Sequence, residues 1–183
     1  PSESMFLLDS FMEGIMKTVL KYAKIAFNKG DDYEARANLM WASSWAINGL
    51  IKEYQTHKWS AHSMEHPLSA YYDIAHGLGL AIIVPKWLRY ALNDDNIDRY
   101  VKFGVNVFNI DPALDKKTIA LKAIECLEEF LYVDLKLPAS LKECDIDDTY
   151  FVDMAYRACK GDKINGFITL NIDDVIEIYK MCL

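Results

Sequence analysis

Apolar side chains return every three to four residues along almost the whole of this chain, a spacing that leads to helices packed on one another. From Met5 to Asn28 they fall at Leu8, Met12, Ile15, Val19, Tyr22, Ala23 and Ala26, a spacing that marks one buried stripe. Lys29-Gly30-Asp31 then supplies a helix-stopping glycine and an N-capping residue type. A second helix is expected over residues 32–54, dense in Ala, Met and Trp, with Trp41 and Trp45 on one face and a central position. Met12, Met40, Trp41 and Trp45 are assigned to packing. His62 to Tyr72 and Gly77 to Leu92 read as two further helices, the latter nearly all apolar and therefore buried. Asp115 with Thr118 opens another, with Ile119, Ala123, Cys126 and Phe130 in its stripe, ended at Leu137-Pro138. Asn171 with Asp174 resembles a capping box for a last short helix through Tyr179. The acidic run from Glu143 to Asp148 reads as a solvated loop and Lys160-Gly161-Asp162 as a turn. No stretch shows a convincing strand pattern. The fold class expected is all-α, a multi-helix bundle forming a single domain over residues 1–183.

Bulk composition narrows the function classes. A chain of 183 residues, 52% hydrophobic and 26% charged, is long enough to bury a real core. A net charge of −7 sets it against nucleic acid and anionic membrane surfaces. No apolar run is long enough to span a bilayer, and residues 1–25 do not read as a signal peptide. Cys126, Cys144, Cys159 and Cys182 show no paired spacing and read as reduced thiols of a cytoplasmic protein.

All four histidines, His57, His62, His66 and His76, fall within one stretch of twenty residues. Imidazole is the commonest metal ligand and titrates near neutrality, so the clustering points to a site. His62 and His66 share a face if their segment is helical, and Pro67 leaves that pairing intact if it opens a new turn. Gly77, after His76, lets the backbone turn or approach a bound group. Each histidine also has a plain reading as a surface or satisfied core residue, strongest for His57 beside Lys58. Asp73, three residues before His76, is either a carboxylate that orients an imidazole or an exposed helix-end acid. Tyr71 and Tyr72 either line a pocket or belong to the core.

The string His62-x-x-x-His66-Pro67-Leu68-Ser69-Ala70-Tyr71-Tyr72-Asp73-x-x-His76-Gly77-x-Gly79-Leu80-Ala81-Ile82-x-x-Pro85 resembles the signature of the iron-containing (group III) alcohol dehydrogenases. Upstream, Tyr33 to Ala42 and Asn48-Gly49-Leu50 resemble the butanol dehydrogenase and aldehyde reductase branch. Downstream, Leu137-Pro138-Ala139-Ser140-Leu141 and Gly166-Phe167 through Tyr179 do the same. The match runs in order along almost the whole chain.

The resemblance implies an all-helical C-terminal domain that holds a catalytic Fe²⁺ or Zn²⁺ and the substrate. It makes His62 and His76 metal ligands and His66 a non-ligand in the substrate cleft, able to relay a proton. NAD(P) would be bound by an N-terminal α/β domain, and no G-x-G-x-x-G cluster of that kind occurs here. The family's remaining ligands come from a D-x-x-x-H motif, whereas Asp9 is followed four residues later by Glu13. The expectation is therefore a C-terminal portion of a longer enzyme, inactive alone, binding metal weakly, and dimeric through the apolar surface it exposes. Two other readings stay open: a helical scaffold or oligomerisation domain with incidental histidines, and a zinc polyol dehydrogenase of the same fold.

Overall fold

The computed structural model describes residues 6–48 and 59–183. His57 and the end of the expected second helix lie outside them. Eight α-helices account for most of the described residues, in line with the all-α expectation. The chain divides into two compact units, Pro1–Thr56 with Ile97–Cys126 and His57–Asn96 with Leu127–Leu183.

In the first unit, α1 (Phe6–Asn28) runs along α2 (Tyr33–Ile47). The Asp32 side chain caps α2 by accepting from Ala35 N, and its carboxyl is held below the usual range chiefly by that bond. Tyr22 donates to Glu34 at 2.8 Å, and Phe11 meets Trp45 edge-on at 5.4 Å. α5 (Ile97–Phe108) joins α1 through polar pairs: Arg99 donates to both Asp9 oxygens at 2.8 and 3.0 Å, and Asn106 to Glu13 at 2.8 Å. The guanidinium holds the Asp9 carboxyl below its ordinary range. α6 (Lys116–Glu128) comes close to α5 at Gly104, where a β-carbon would sit 2.9 Å from Ile119 Cγ2 and 3.2 Å from Ala123 Cβ. The α6 cap is the expected one, Asp115 accepting from Thr118 N at 3.0 Å.

α2 is not central. Met40 is 72% exposed and Trp41 66%, while the buried positions are Ala35 and Ala42. Polar residues Glu34, Arg36, Asn38, Ser43 and Ser44 are spread around the helix, so composition does not say which side faces inward; the small residues do, because they let a neighbouring helix approach. Trp41 still shares a face with Trp45, their rings edge-on at 5.8 Å.

The second unit holds a continuous core. α3 (Ser60–Tyr72) and α4 (His76–Ala91) form a helical hairpin, and α3 also packs on α7 (Phe151–Cys159). α8 (Ile172–Met181) lies against α4 and α7. Met64, Leu68, Ile82, Ile83, Phe151 and Tyr179 are among its fully buried side chains. The capping box expected at α8 is present, Asn171 accepting from Asp174 N and Asp174 from Asn171 N. Asp174 also accepts from Tyr90 at 2.5 Å, which fixes α8 to α4 and pushes the Tyr90 phenol up to about 12.

As expected, α3 and α4 run through Pro67 and Pro85 without ending, while other details depart from the sequence reading. Pro85 cannot donate to the carbonyl one turn back, that of Ala81, and Tyr132 donates to that oxygen instead at 3.0 Å. Tyr132 stands in a π-helical turn, Glu129–Asp134, which continues α6 beyond its α-helical end. α5 and α7 occupy stretches to which the periodicity reading assigned no helix. Ile164–Asn165 and Thr169–Leu170 pair as a two-rung antiparallel ladder, too short for any strand periodicity to register.

Candidate metal centre

α3 carries His62, Glu65, His66 and Ser69, and His76 is the first residue of α4. Pro67 keeps the helix intact, so His62 and His66 remain one turn apart. The hairpin brings all three imidazoles together, with ring centroids 5.2 Å apart for His62 and His76, 5.3 Å for His66 and His76, and 6.3 Å for His62 and His66. Trp59 lies edge-on to His62 at 4.6 Å. Yet among the described residues no three His, Cys, Asp or Glu side chains stand as a finished metal-holding set. The two observations differ because ring proximity is not donor convergence: one nitrogen of His76, Nδ1, is already turned to Glu65.

Glu65 was missed by the sequence reading. It is fully buried, and its two oxygens are divided between His76 Nδ1 and the Ser69 hydroxyl. Asp73 does not take that place: it is exposed, in left-handed backbone at φ 54° closing α3. The signal for Glu65 was available. Ala61, Glu65, Leu68 and Tyr72 lie on one helical stripe, and an acid in an apolar stripe is rarely buried without a partner. Among the described residues, Gly79 is where the α4 backbone comes close to a neighbouring side chain. A β-carbon at Gly79 would stand 2.5 Å from Glu65 Oε1, whereas one at Gly77 would meet nothing within 4 Å.

Tyr71 and Tyr72 fall to packing. Both lie against the core, Tyr72 donates to Asp147 O at 3.0 Å, and the Tyr71 ring stacks with Tyr150 at 4.9 Å under the Arg157 guanidinium.

Burial holds the His62 imidazole below its ordinary pKa, and the neighbouring His76 and His66 add to that effect. The depressed value belongs to the folded state, so the unfolded chain binds more protons at His62 as pH falls. The contribution is present above the unfolded value, about pH 6.5, and is lost as pH drops towards the folded one. In the metal-free chain, the thermal midpoint should therefore fall more steeply between about pH 7.5 and 5.5 than in a His62→Gln variant. Identical slopes would contradict it.

Residues 2–183 match the C-terminal model of the Fe-containing alcohol dehydrogenase family. The chain is 47% identical over 180 residues to NADH-dependent butanol dehydrogenase A of Clostridium acetobutylicum, covering 97% of this chain and 46% of that protein. It is 31% identical over 139 residues to the NADPH-dependent aldehyde reductase YqhD of Escherichia coli, covering 76% of this chain and 35% of the relative. The crystal structure of NADH-dependent butanol dehydrogenase A from Thermotoga maritima superposes with a TM-score of 0.87 at 32% identity, over 96% of this chain and 46% of that one. The chain belongs to the Fe-containing alcohol dehydrogenase family and corresponds to its C-terminal, helical part. It spans just under half the length of the butanol dehydrogenases it matches.

Proposed function

We propose that this chain is the metal- and substrate-holding part of an NAD(P)-dependent alcohol dehydrogenase that interconverts alcohols and aldehydes by hydride transfer. The observation that carries the reading is the gathering of His62, His66 and His76 within 5.2–6.3 Å of one another, on a family member's hairpin, with a buried carboxylate behind one of them. That donor set fits Fe²⁺ or Zn²⁺, both of which accept imidazole. His62 and His76 would hold the ion. When bound, the ion supplies Lewis-acid polarisation of the substrate oxygen, and a nicotinamide held elsewhere in the protein supplies the hydride chemistry.

This chain's own residues do the rest. Trp59 lies edge-on against the half-buried His62 ring and limits how that ligand can turn. His66 is exposed beside both ligands and would pass a proton between the substrate oxygen and water. The same reading places the protein in the cytoplasm as a homodimer. In support, none of the four cysteines is in a disulfide, and Phe6, Leu7, Met40, Trp41 and Ile47 are exposed apolar side chains of the kind subunit contacts cover.

A chimera tests the activity. Residues 2–183, put in place of the matching part of the Clostridium acetobutylicum enzyme, should give an NADH-dependent reductase of simple aldehydes. His76→Ala should lower its rate by more than about 100-fold, since even an outer partner of a ligand is worth ~10–100-fold. A folded chimera that binds nucleotide and reduces no aldehyde would refute the reading.

A further inference from the structure

We propose that Glu65 is the positioning residue of the imidazole cluster: its buried carboxylate fixes which His76 nitrogen is left free, and position 79 is glycine because that carboxylate fills the space of a side chain. The inference rests on the metal-holding reading for its purpose but on the hydrogen bonds alone for its geometry.

Burying a carboxylate is costly unless its oxygens are bonded. Glu65 is 0% exposed and carries a partner on each oxygen, His76 Nδ1 on Oε2 and Ser69 Oγ on Oε1. A carboxylate oxygen accepts, so Nδ1 is the ring nitrogen that donates, and Nε2 keeps its lone pair for a ligand. Ser69 Oγ also lies 2.9 Å from Ile74 O, in the turn between the two helices. Ser69 has one hydroxyl proton, given either to Glu65 or to Ile74 O, so the tie Glu65 itself makes is between α3 and the first residue of α4. His76 itself is 44% exposed in its side chain, so surrounding packing does not hold its ring by enclosure.

Gly79 gives an independent reason to read the carboxylate as built in. A β-carbon there would lie 2.5 Å from Glu65 Oε1, 2.9 Å from Cγ and 3.1 Å from Cδ. Residue 79 is inside α4 without positive φ, so backbone conformation does not call for glycine. The space taken by Glu65 does.

The test reads two quantities on the 183-residue chain. Long-range ¹H–¹⁵N spectra of the metal-free chain report the His76 tautomer, and calorimetry reports Zn²⁺ affinity. The wild type should show His76 protonated at Nδ1. Glu65→Gln, whose amide oxygen can still accept, should keep that tautomer, whereas Glu65→Leu should shift it towards Nε2–H and lower Zn²⁺ affinity by about 10–100-fold. Gly79→Ala should move the tautomer in the same direction, which gives a second route if Glu65→Leu does not fold. A wild-type His76 protonated at Nε2, or a folded Glu65→Leu chain with unchanged tautomer and affinity, would overturn the proposal. If His62→Ala and His76→Ala leave Zn²⁺ affinity unchanged while the tautomer responds to Glu65, the metal reading fails and the positioning of His76 stands.

Discussion

Replacing Tyr179 with alanine should destabilise the chain by about 3–5 kcal/mol, the range for emptying a buried aromatic site. The side chain is fully buried in α8, its ring 5.3 Å from that of Phe151 on α7. Its hydroxyl donates to Met64 O on α3 at 2.5 Å. Burial pushes the phenol well above its usual range, so it stays a neutral donor across all working pH values. Alanine would leave a hole where three helices meet and remove the donor from a buried carbonyl. Tyr179→Phe keeps the ring and loses only the bond, a cost of about 1 kcal/mol. Urea unfolding of the two variants separates the contributions. A Tyr179→Ala midpoint no lower than that of Tyr179→Phe would mean the ring contributes nothing through packing.

Substituting either proposed ligand should remove what divalent-ion binding the chain has. Two imidazoles cannot complete a four-ligand site, and no finished set of three donors exists among the described residues, so wild-type affinity for Zn²⁺ should be weak. His62→Ala or His76→Ala should lower it by more than about 100-fold, beyond the ~10–100-fold typical of outer partners. His66→Ala, which removes a proton carrier and not a ligand, should change it by less than about 10-fold. Calorimetric titration of the three variants decides the assignment. Equal losses for all three would make His66 a ligand; no loss for any would remove the metal from the cluster.

The elements that sequence predicted best are those whose pattern has one physical reading. The Asp115–Thr118 cap and the Asn171–Asp174 capping box are local, and local bonds form them, whereas the α1 stripe expected to be buried is only half-buried. The histidine cluster was legible because a short hairpin brings neighbours in sequence together in space. Burial of α2 was not legible, since Trp41 and Met40 look like core until Ala35 and Ala42 are seen to face inward. Glu65 was hidden by its chemistry: an acid beside histidines reads as solvated, and only the helical stripe it shares with Ala61 and Leu68 says otherwise. α5 was legible after all: Tyr100, Val101, Val105 and Phe108 recur at helical spacing, a pattern as plain as that of α1.

The bond from Tyr132 to Ala81 O carries a consequence for how this chain can change over evolutionary time. The hydroxyl is needed because Pro85 supplies no backbone donor to that carbonyl. With any other residue at 85 the helix would bond the oxygen itself, and a phenylalanine at 132 would do as well. The two positions, far apart in sequence, are therefore expected to change together. Losing the hydroxyl first would take the donor from a carbonyl, whereas losing the proline first would release the hydroxyl from that bond, so the second order is the less costly one.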